Sequence, residues 1–275
     1  MDEQEAVRRK LPLRAALAIL AAGGSLTAWN AGAASAMSCE SLKSLQLTET
    51  TILSADTVRG PSFTPPGSTT PIGNLPAFCR VAAVIQPQIN FEVWLPLSGW
   101  NGKFQGTGNG GYNGAIVYSA LASGVQRNYA TANSDLGHKS STPHWAIGRP
   151  DLIVDQGYRA QHETTLKGKA ITRAFYGRHE ARSYWTGCSS GGWQGMTEAQ
   201  MFPDDYDGIV AGAPAFEVIH LHAQSLYSYF QNLNIVPAKL PLVTSAILTA
   251  CDANDGVVSG AGAGSRSTAR SSRST

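Results

Sequence analysis

The chain has 275 residues, of which 43% are hydrophobic and 15% charged, and this is enough material for one sizeable folded core. Its formal net charge of +2 arises at its two ends: residues 1–14 carry +1 and residues 259–275 carry +3, which leaves −2 for the sequence between them. A slightly acidic central sequence has no basic footprint for nucleic acid, so the composition argues against that class of partner.

The N-terminus has the pattern of a secretory signal. Basic residues between positions 8 and 14 precede the apolar run 15–22, and Ala-Ser-Ala at 34–36 is a typical cleavage site. An uncleaved membrane anchor is the alternative, but the apolar run is well short of the roughly twenty residues that a membrane span needs. We therefore expect residues 1–36 to be removed, and the mature chain to be secreted or periplasmic and not bound to a membrane.

Export to an oxidising compartment makes the four cysteines candidates for disulfide bonds. Cys39 and Cys79 could join the start of the mature chain to a predicted strand around residues 81–85. Cys188 and Cys251 then remain, and a bond between these two is conceivable.

The sequence between the two ends predicts alternating strands and helices. Residues 62–76 contain four prolines and form a turn-rich connection. The predicted strands are 91–97, one that starts at 103, 129–133, 182–186 and 206–211; the predicted helices are 155–177, one that starts at 191, 216–233 and 240–250. This alternation predicts an α/β fold with a mostly parallel sheet and helices on both faces.

Within the helix predicted at 155–177, apolar positions recur every fourth residue and define a candidate buried face. This face consists of Tyr158, His162, Leu166, Ala170 and Ala174. We interpret His162 as a hydrogen-bonded core histidine rather than a catalytic base. Gly177 is the expected stop of the helix.

Residues 187–192, Gly-Cys-Ser-Ser-Gly-Gly, lie between a predicted strand and a predicted helix, as in the nucleophile elbow of a serine hydrolase. Gly187 and Gly191 leave no bulk beside Ser189, the expected nucleophile. The amide of Ser190 lies at the start of the helix, where it could stabilise an oxyanion. A glycine-rich turn that happens to contain serine is the alternative.

A second oxyanion donor is expected from the glycine-rich segment 106–111, which precedes the nucleophile in the chain. Gly110 is our candidate, with Gly111 as the alternative donor. The segment is a poor phosphate loop because it lacks the G-x-x-x-x-G-K-[ST] pattern, and a tight surface turn is the remaining interpretation.

Three segments together resemble the tannase and feruloyl esterase family of α/β-hydrolases. They are residues 187–200, residues 202–215 (Phe-Pro-Asp-Asp-Tyr-Asp-Gly-Ile-Val-Ala-Gly-Ala-Pro-Ala) and residues 155–162 (Asp-Gln-Gly-Tyr-Arg-Ala-Gln-His). The resemblance extends from about residue 39 to residue 258. It implies an α/β-hydrolase fold and a serine carboxylic-ester hydrolase acting on aromatic esters such as feruloyl or galloyl esters.

The resemblance also has implications for individual residues. It supports a disulfide between Cys39 and Cys79, and it pairs Cys188 with a cysteine beside the catalytic histidine. It further implies a structural calcium ion bound by a loop that matches residues 251–258, with Asp252, Asp255 and the carbonyl of Val257 as ligands. Two carboxylates and one carbonyl are too few for tight binding of calcium, so we expect the site to be weak or empty.

Beyond residue 258 the match ends in the middle of the calcium motif, and the sequence becomes a run of Ser, Gly, Ala, Thr and Arg that cannot fold. We interpret 259–275 as a frameshifted tail, 37–215 as the N-terminal part of a catalytic domain, and 216–258 as the start of a lid domain.

This interpretation predicts an inactive chain, because a hydrolase of this kind needs an acid and then a histidine after the serine. His220 and His222 do follow Ser189, but they point to different sides of a helix and are weak candidates for the base. His138 could contact substrate or cap a loop. The alternative function is a pseudo-hydrolase that binds an aromatic ligand without catalysis.

Overall fold

The structure is a computed structural model that describes residues 36–233, 236–256 and 258. Apart from Ala36, the predicted signal segment lies outside these residues, as does the predicted tail at 259–275, so both stay predictions. None of the helices in the described part is long and apolar enough to cross a membrane.

One seven-stranded sheet organises the chain, with the strand order β1-β2-β3-β5-β4-β6-β7. Strands β1, β2, β3 and β5 pair in antiparallel fashion, whereas β5, β4, β6 and β7 are parallel. The strands are β1 Thr50–Val58, β2 Phe78–Ile85, β3 Ile89–Pro96, β4 Lys103–Thr107, β5 Ala130–Ser134, β6 Arg182–Cys188 and β7 Gly208–Gly212. The predicted sequence of strands and helices is present, and the antiparallel β1 and the helices at 118–126 and 150–154 are additions to it.

Helices cover both faces of this sheet. The helices of the described residues are α1 Tyr118–Gln126, α2 Pro150–Val154, α3 Ala160–Tyr176, α4 Ser190–Met201, α5 Val218–Gln231 and α6 Leu240–Cys251, and of these α1, α3 and α4 pack on the sheet. On one face, α1 packs through Leu121 and Val125 against Trp94 of β3. On the opposite face, Val93 of β3 belongs to the core that includes Ile171 of α3. Because successive strand residues point to opposite faces, α1 and α3 lie on different sides, and the predicted α/β fold class is confirmed.

The helix predicted at 155–177 is present, but the predicted buried face is wrong. Its first turn, Asp155–Arg159, is a π-helix, and Gly177 ends it in the left-handed conformation with φ of 67°. Tyr158 and Leu166 of the predicted face are 38% and 40% exposed. Apart from Ile171, the buried residues of this helix are small or polar instead: Ala160, Gln161, Thr164, Thr165, Gly168 and Thr172.

Two of the three buried threonines satisfy their hydroxyl within the helix, whereas the hydroxyl of Thr164 has no partner among the described residues. The hydroxyls of Thr165 and Thr172 each donate to the carbonyl oxygen four residues earlier, at 2.8 Å in both cases. The buried face of α3 is therefore invisible to a search for apolar side chains alone.

A disulfide joins Cys39 and Cys79, as the resemblance implied, and ties the start of the described chain to β2. Cys188 and Cys251 are free thiols and are not bonded to each other. The bond between these two that the sequence left open is therefore absent from the described residues.

Helices α5 and α6 follow β7 and bury no residue. Large apolar side chains such as Ile219, Leu226 and Leu242 are exposed on them. The boundary at residues 215 and 216 between a catalytic domain and a lid stays a prediction.

Candidate active site

Ser189 lies at the junction between β6, which ends at Cys188, and α4, which begins at Ser190. Its backbone has φ of 59° and ψ of −119°, a conformation that a residue with a side chain rarely adopts and that costs roughly 1–3 kcal/mol. Backbone hydrogen bonds hold it in place. The Ser189 amide donates to the carbonyl of Gly212 at 3.0 Å, and its own carbonyl accepts from Trp193 and Ala215.

The two glycines around Ser189 are required by close backbone contacts. A Cβ atom on Gly187 would lie 2.2 Å from the carbonyl oxygen of Gly191, and a Cβ on Gly191 would lie 3.0 Å from the Cα of Gly108. Both neighbours are backbone atoms that cannot move aside as a flexible side chain could. The sharp turn at Ser189 therefore depends on glycine at both positions, as the sequence predicts.

Two backbone amides, one at the elbow and one in the glycine-rich segment, are available to bind an anion. Among the described residues, no acceptor receives a hydrogen bond from the amide of Ser190 or from that of Gly110. The Ser190 amide is also at the N-terminus of the 12-residue α4, where the helix dipole favours negative charge. The hydroxyl of Ser190 donates to the Gly111 carbonyl at 2.8 Å, which brings the glycine-rich segment against the elbow.

A cavity of about 410 Å³ opens at Ser189. Its wall is largely apolar and aromatic, and a few polar groups are set into it. The residues that line it are Gly111, Tyr112, Pro143, Trp145, Ala146, Ile153, Gln156, Ser189, Ser190, Trp193, Ala215, Val218, Leu221 and His222. This volume and lining suit a small ligand with an aromatic ring.

The structure gives three tryptophans, Trp145, Trp185 and Trp193, different environments. Trp185 belongs to the core, and its indole N–H donates to the Gly191 carbonyl at 3.0 Å. Trp145 and Trp193 line the cavity instead. Trp145 stacks on the buried His138, whose Nε2 is hydrogen-bonded to Gln156 at 2.8 Å, so His138 supports the wall from behind.

All six histidines of the chain are described, and none is hydrogen-bonded to Ser189. His220 is exposed and pairs with Glu217. His222 lines the cavity, and its Nδ1 lies 2.7 Å from the Val218 carbonyl, so Nδ1 carries a proton and Nε2 has a free lone pair when the ring is neutral. His162 is partly buried and bonded to Asp205 at 2.7 Å, in agreement with a structural histidine.

Behind the elbow, three ionisable residues form a compact cluster that the sequence did not predict. The side chains of His162, Glu198 and Asp205 have ligand atoms within 4.8 Å of one another. Glu198 is fully buried, and neither of its carboxyl oxygens has a hydrogen-bond donor among the described residues. Burial, and then the negative charge of Asp205, raises the pKa of Glu198 to about 9.

The three side chains are of types that bind metal ions, but the hydrogen bonds within the cluster explain their arrangement without a metal. Asp205 is already bonded to His162 through its carboxylate and to Lys169 through its carbonyl. A carboxyl group with the raised pKa keeps its proton at neutral pH and leaves no unpaired charge in the core. The cluster is therefore consistent with a neutral Glu198 beside a charged Asp205.

Of the predicted calcium ligands, Asp252 is buried at the start of the 3-10 turn Asp252–Asp255. Val257 lies outside the described residues, and the side chain of Asp255 is not described. The calcium site stays a prediction.

Gln194 and Glu198 are two site residues that sequence reasoning missed. Both lie on the buried side of α4 together with Gly191, Gly192 and Gly195. Polar side chains one helical turn apart on a face lined by glycine are the signal that could have identified them.

The family model described as tannase and feruloyl esterase matches residues 72–268. An uncharacterized esterase of Xanthomonas campestris is 40% identical over 260 residues, which is 90% of this chain and 44% of that protein. A probable feruloyl esterase B-1 of Aspergillus fumigatus is 40% identical over 195 residues, 66% of this chain and 36% of the relative.

Among solved structures, feruloyl esterase B from Aspergillus oryzae is similar to this chain, with a TM-score of 0.73 and 33% sequence identity. The similarity covers 81% of this chain and 47% of the fungal protein. The chain thus spans less than half the length of each of these three relatives.

Proposed function

Because the chain belongs to the tannase and feruloyl esterase family, we propose that Ser189 is the nucleophile of a carboxylic-ester hydrolase that acts on phenolic esters such as feruloyl or galloyl esters. The observation that carries the proposal is the strained backbone of Ser189 at the β6–α4 junction, with its side chain in the wall of an aromatic cavity. Strain of this kind persists only where the surrounding structure enforces it, and it is typical of functional sites.

In the proposed reaction, the Ser189 oxygen attacks the ester carbonyl carbon and loses its proton to a base. The carbonyl oxygen becomes negatively charged and accepts hydrogen bonds from the Ser190 amide and from the amide of Gly110 or Gly111. The carbonyl re-forms as the alcohol leaves with a proton, which gives an acyl-enzyme. Water then attacks this ester and releases the phenolic acid.

The base and its acidic partner are the incomplete part of this site. No histidine of the chain is hydrogen-bonded to Ser189, and the histidine that shares its cavity, His222, is oriented by a backbone carbonyl rather than by a carboxylate. We propose that the 275 residues do not by themselves provide an effective triad.

We accordingly expect no steady-state hydrolysis of methyl ferulate or methyl gallate above the rate of a Ser189→Ala variant, because loss of base and acid removes most of the rate. Product release measured by liquid chromatography would check this. Hydrolysis that Ser189→Ala abolishes would contradict the missing triad, and a parallel His222→Gln variant would then show whether His222 acts as the base.

The second candidate is a pseudo-hydrolase that binds an aromatic ligand without reacting with it, and the cavity with Trp145 and Trp193 in its wall favours it. Binding of ferulic acid would be measured by quenching of tryptophan fluorescence. The esterase proposal predicts reaction of Ser189 with an electrophile in addition to binding, whereas the pseudo-hydrolase predicts binding alone.

We also propose that the chain is secreted or periplasmic, which the Cys39–Cys79 disulfide supports because such bonds persist in oxidising compartments. A weak calcium site at Asp252, Asp255 and Val257 is part of the same proposal. Its support here is the burial of Asp252 alone.

A further inference from the structure

We propose that Gln194 is a positioning residue for the oxyanion site: it fixes the glycine-rich segment 108–111 against the first turns of α4. This inference rests on the proposed function, because the segment matters chemically only if an oxyanion forms at Ser189. Gln194 does not touch the reacting atoms and acts through the backbone of its neighbours.

The first contact that carries the inference joins Gln194 to the backbone just before Gly110. The amide of Asn109 donates to Oε1 of Gln194 at 3.0 Å. Gln194 has no exposed surface, and Asn109 is also buried. A hydrogen bond shielded from water in this way holds its donor more firmly than an exposed one does.

A second contact lies one helical turn earlier on the same helix. The Ser190 hydroxyl donates to the Gly111 carbonyl at 2.8 Å. Residues 190 and 194 are four apart, and side chains with this spacing lie on the same face of a helix. The helix therefore holds the segment at residues 109 and 111, on either side of Gly110, whose amide has no acceptor among the described residues.

The opposite side of the segment is fixed by the Asn109 side chain. Its Nδ2 donates to the carbonyls of Ala115 and Ser134, both at 2.9 Å. Asn109 is thus bonded both to the sheet and to α4. If the hydrogen bond to α4 is lost, the segment stays attached to the sheet, but its position relative to Ser189 is no longer fixed.

Packing alone does not explain a glutamine at this position. Nε2 of Gln194 is buried and has no acceptor among the described residues, which is unfavourable. An apolar residue of the same length would fill the space without that cost. The hydrogen bond that its side-chain oxygen accepts, and not packing, therefore explains a glutamine at position 194.

The test compares Gln194→Met, which keeps the length but removes the acceptor, with Gln194→Glu, which keeps an acceptor oxygen. Gln200→Met is the matched control, because Gln200 is exposed on the same helix. The rate at which the Asn109 amide exchanges with deuterium reports whether its hydrogen bond to position 194 is intact. The rate of Ser189 phosphonylation by an alkyl fluorophosphonate, followed by intact mass, reports the oxyanion site.

In the labelling step, the Ser189 oxygen bonds to phosphorus, fluoride leaves, and the hydroxyl proton passes to solvent. Negative charge builds on the phosphoryl oxygen, and the residual rate without a base depends on the oxyanion donors. We expect the Asn109 amide to exchange faster in Gln194→Met than in the wild type, and Ser189 to be phosphonylated about 10-fold more slowly or worse. In Gln194→Glu and Gln200→Met, both rates are expected to stay within about 2-fold of the wild type.

Equal exchange and equal labelling in Gln194→Met and the wild type would overturn the inference, as would slower labelling with unchanged exchange. If Gln194→Met does not fold, Ser190→Ala removes the other contact from an exposed position, and slower labelling at an unchanged melting temperature is then expected. If the wild type is phosphonylated no faster than Ser189→Ala, the esterase proposal fails. The exchange rate of the Asn109 amide still tests whether Gln194 holds the segment 108–111.

Discussion

Replacing Gly187 with alanine is expected to lower the free energy of unfolding by about 3 kcal/mol or more, or to prevent folding altogether. The added Cβ would lie 2.2 Å from the oxygen and 2.4 Å from the carbon of the Gly191 carbonyl, so β6 and the start of α4 would have to separate. In a domain of this size the change corresponds to a fall in melting temperature of about 6–12 °C, measurable by circular dichroism.

Gly157→Ala is the control for this substitution. Gly157 lies in a helical turn, and a Cβ there would meet no atom within 4 Å, so alanine should be neutral or slightly stabilising. A Gly187→Ala variant with the melting temperature of the wild type would show that the elbow relaxes easily. It would remove the physical basis for a strained Ser189.

The second large effect concerns the buried carboxyl behind the elbow. Because the pKa of Glu198 is raised to about 9 on folding, the folded chain binds more protons than the unfolded chain between about pH 4.5 and pH 9. The stabilisation from the neutral carboxyl is fully present below this window and is lost as the pH rises through it. The slope is at most about 1.4 kcal/mol per pH unit.

Glu198→Gln replaces the protonated carboxyl with an uncharged group of the same shape. We expect this variant to be more stable than the wild type at pH 8–9 and to have a flatter profile of melting temperature from pH 5 to pH 9. The neighbouring side chains Lys169, Asp205 and His162 are the same in both proteins, so the difference between the two profiles reports the group at position 198.

Glu49 is largely exposed, and Glu49→Gln provides the control that should leave the pH profile as it is. A wild-type profile that rises between pH 5 and pH 9, or one that Glu198→Gln leaves unaltered, would show that Glu198 is ionised in the folded chain. The conclusion that Glu198 keeps its proton would then be wrong, and a bound cation would better explain why these three side chains lie together.

The elbow was predictable because every signal for it is local. A run rich in aromatic and β-branched residues, two glycines around Ser189 and a helix-forming stretch all occur within about twenty residues, and each constrains the backbone directly. The strands at 91–97 and 129–133 and the stop at Gly177 follow from equally local patterns. The structure places these elements within a few residues of the predicted limits.

The buried side of α3 was not predictable in this way, since it depends on which neighbours the helix meets. Threonines that satisfy their own hydroxyls, and a glycine at position 168, allow the helix to pack closely on the sheet. The pattern of apolar residues instead selected Tyr158 and Leu166. Spacing identifies a face of a helix, but only the tertiary contacts decide whether that face is buried.

The contacts of Gln194 and Glu198 are also tertiary. Gln194 bonds to a residue 85 positions earlier, and the environment of Glu198 is created by Asp205 and by residues of α3. A polar residue inside a helix carries no mark of such partners in its own sequence. The nucleophile was therefore accessible from sequence, whereas the spacing of Gln194 and Glu198 on a glycine-lined helix face could indicate that they are buried but not which groups they contact.

The most direct test of Ser189 as the nucleophile is peptide mapping by mass spectrometry after incubation with an alkyl fluorophosphonate. One phosphonyl group on Ser189, present in the wild type and absent from Ser189→Ala, is the predicted result. A label on Ser190 or another hydroxyl, or equal labelling of the two proteins, would contradict the assignment of Ser189 and with it the esterase proposal.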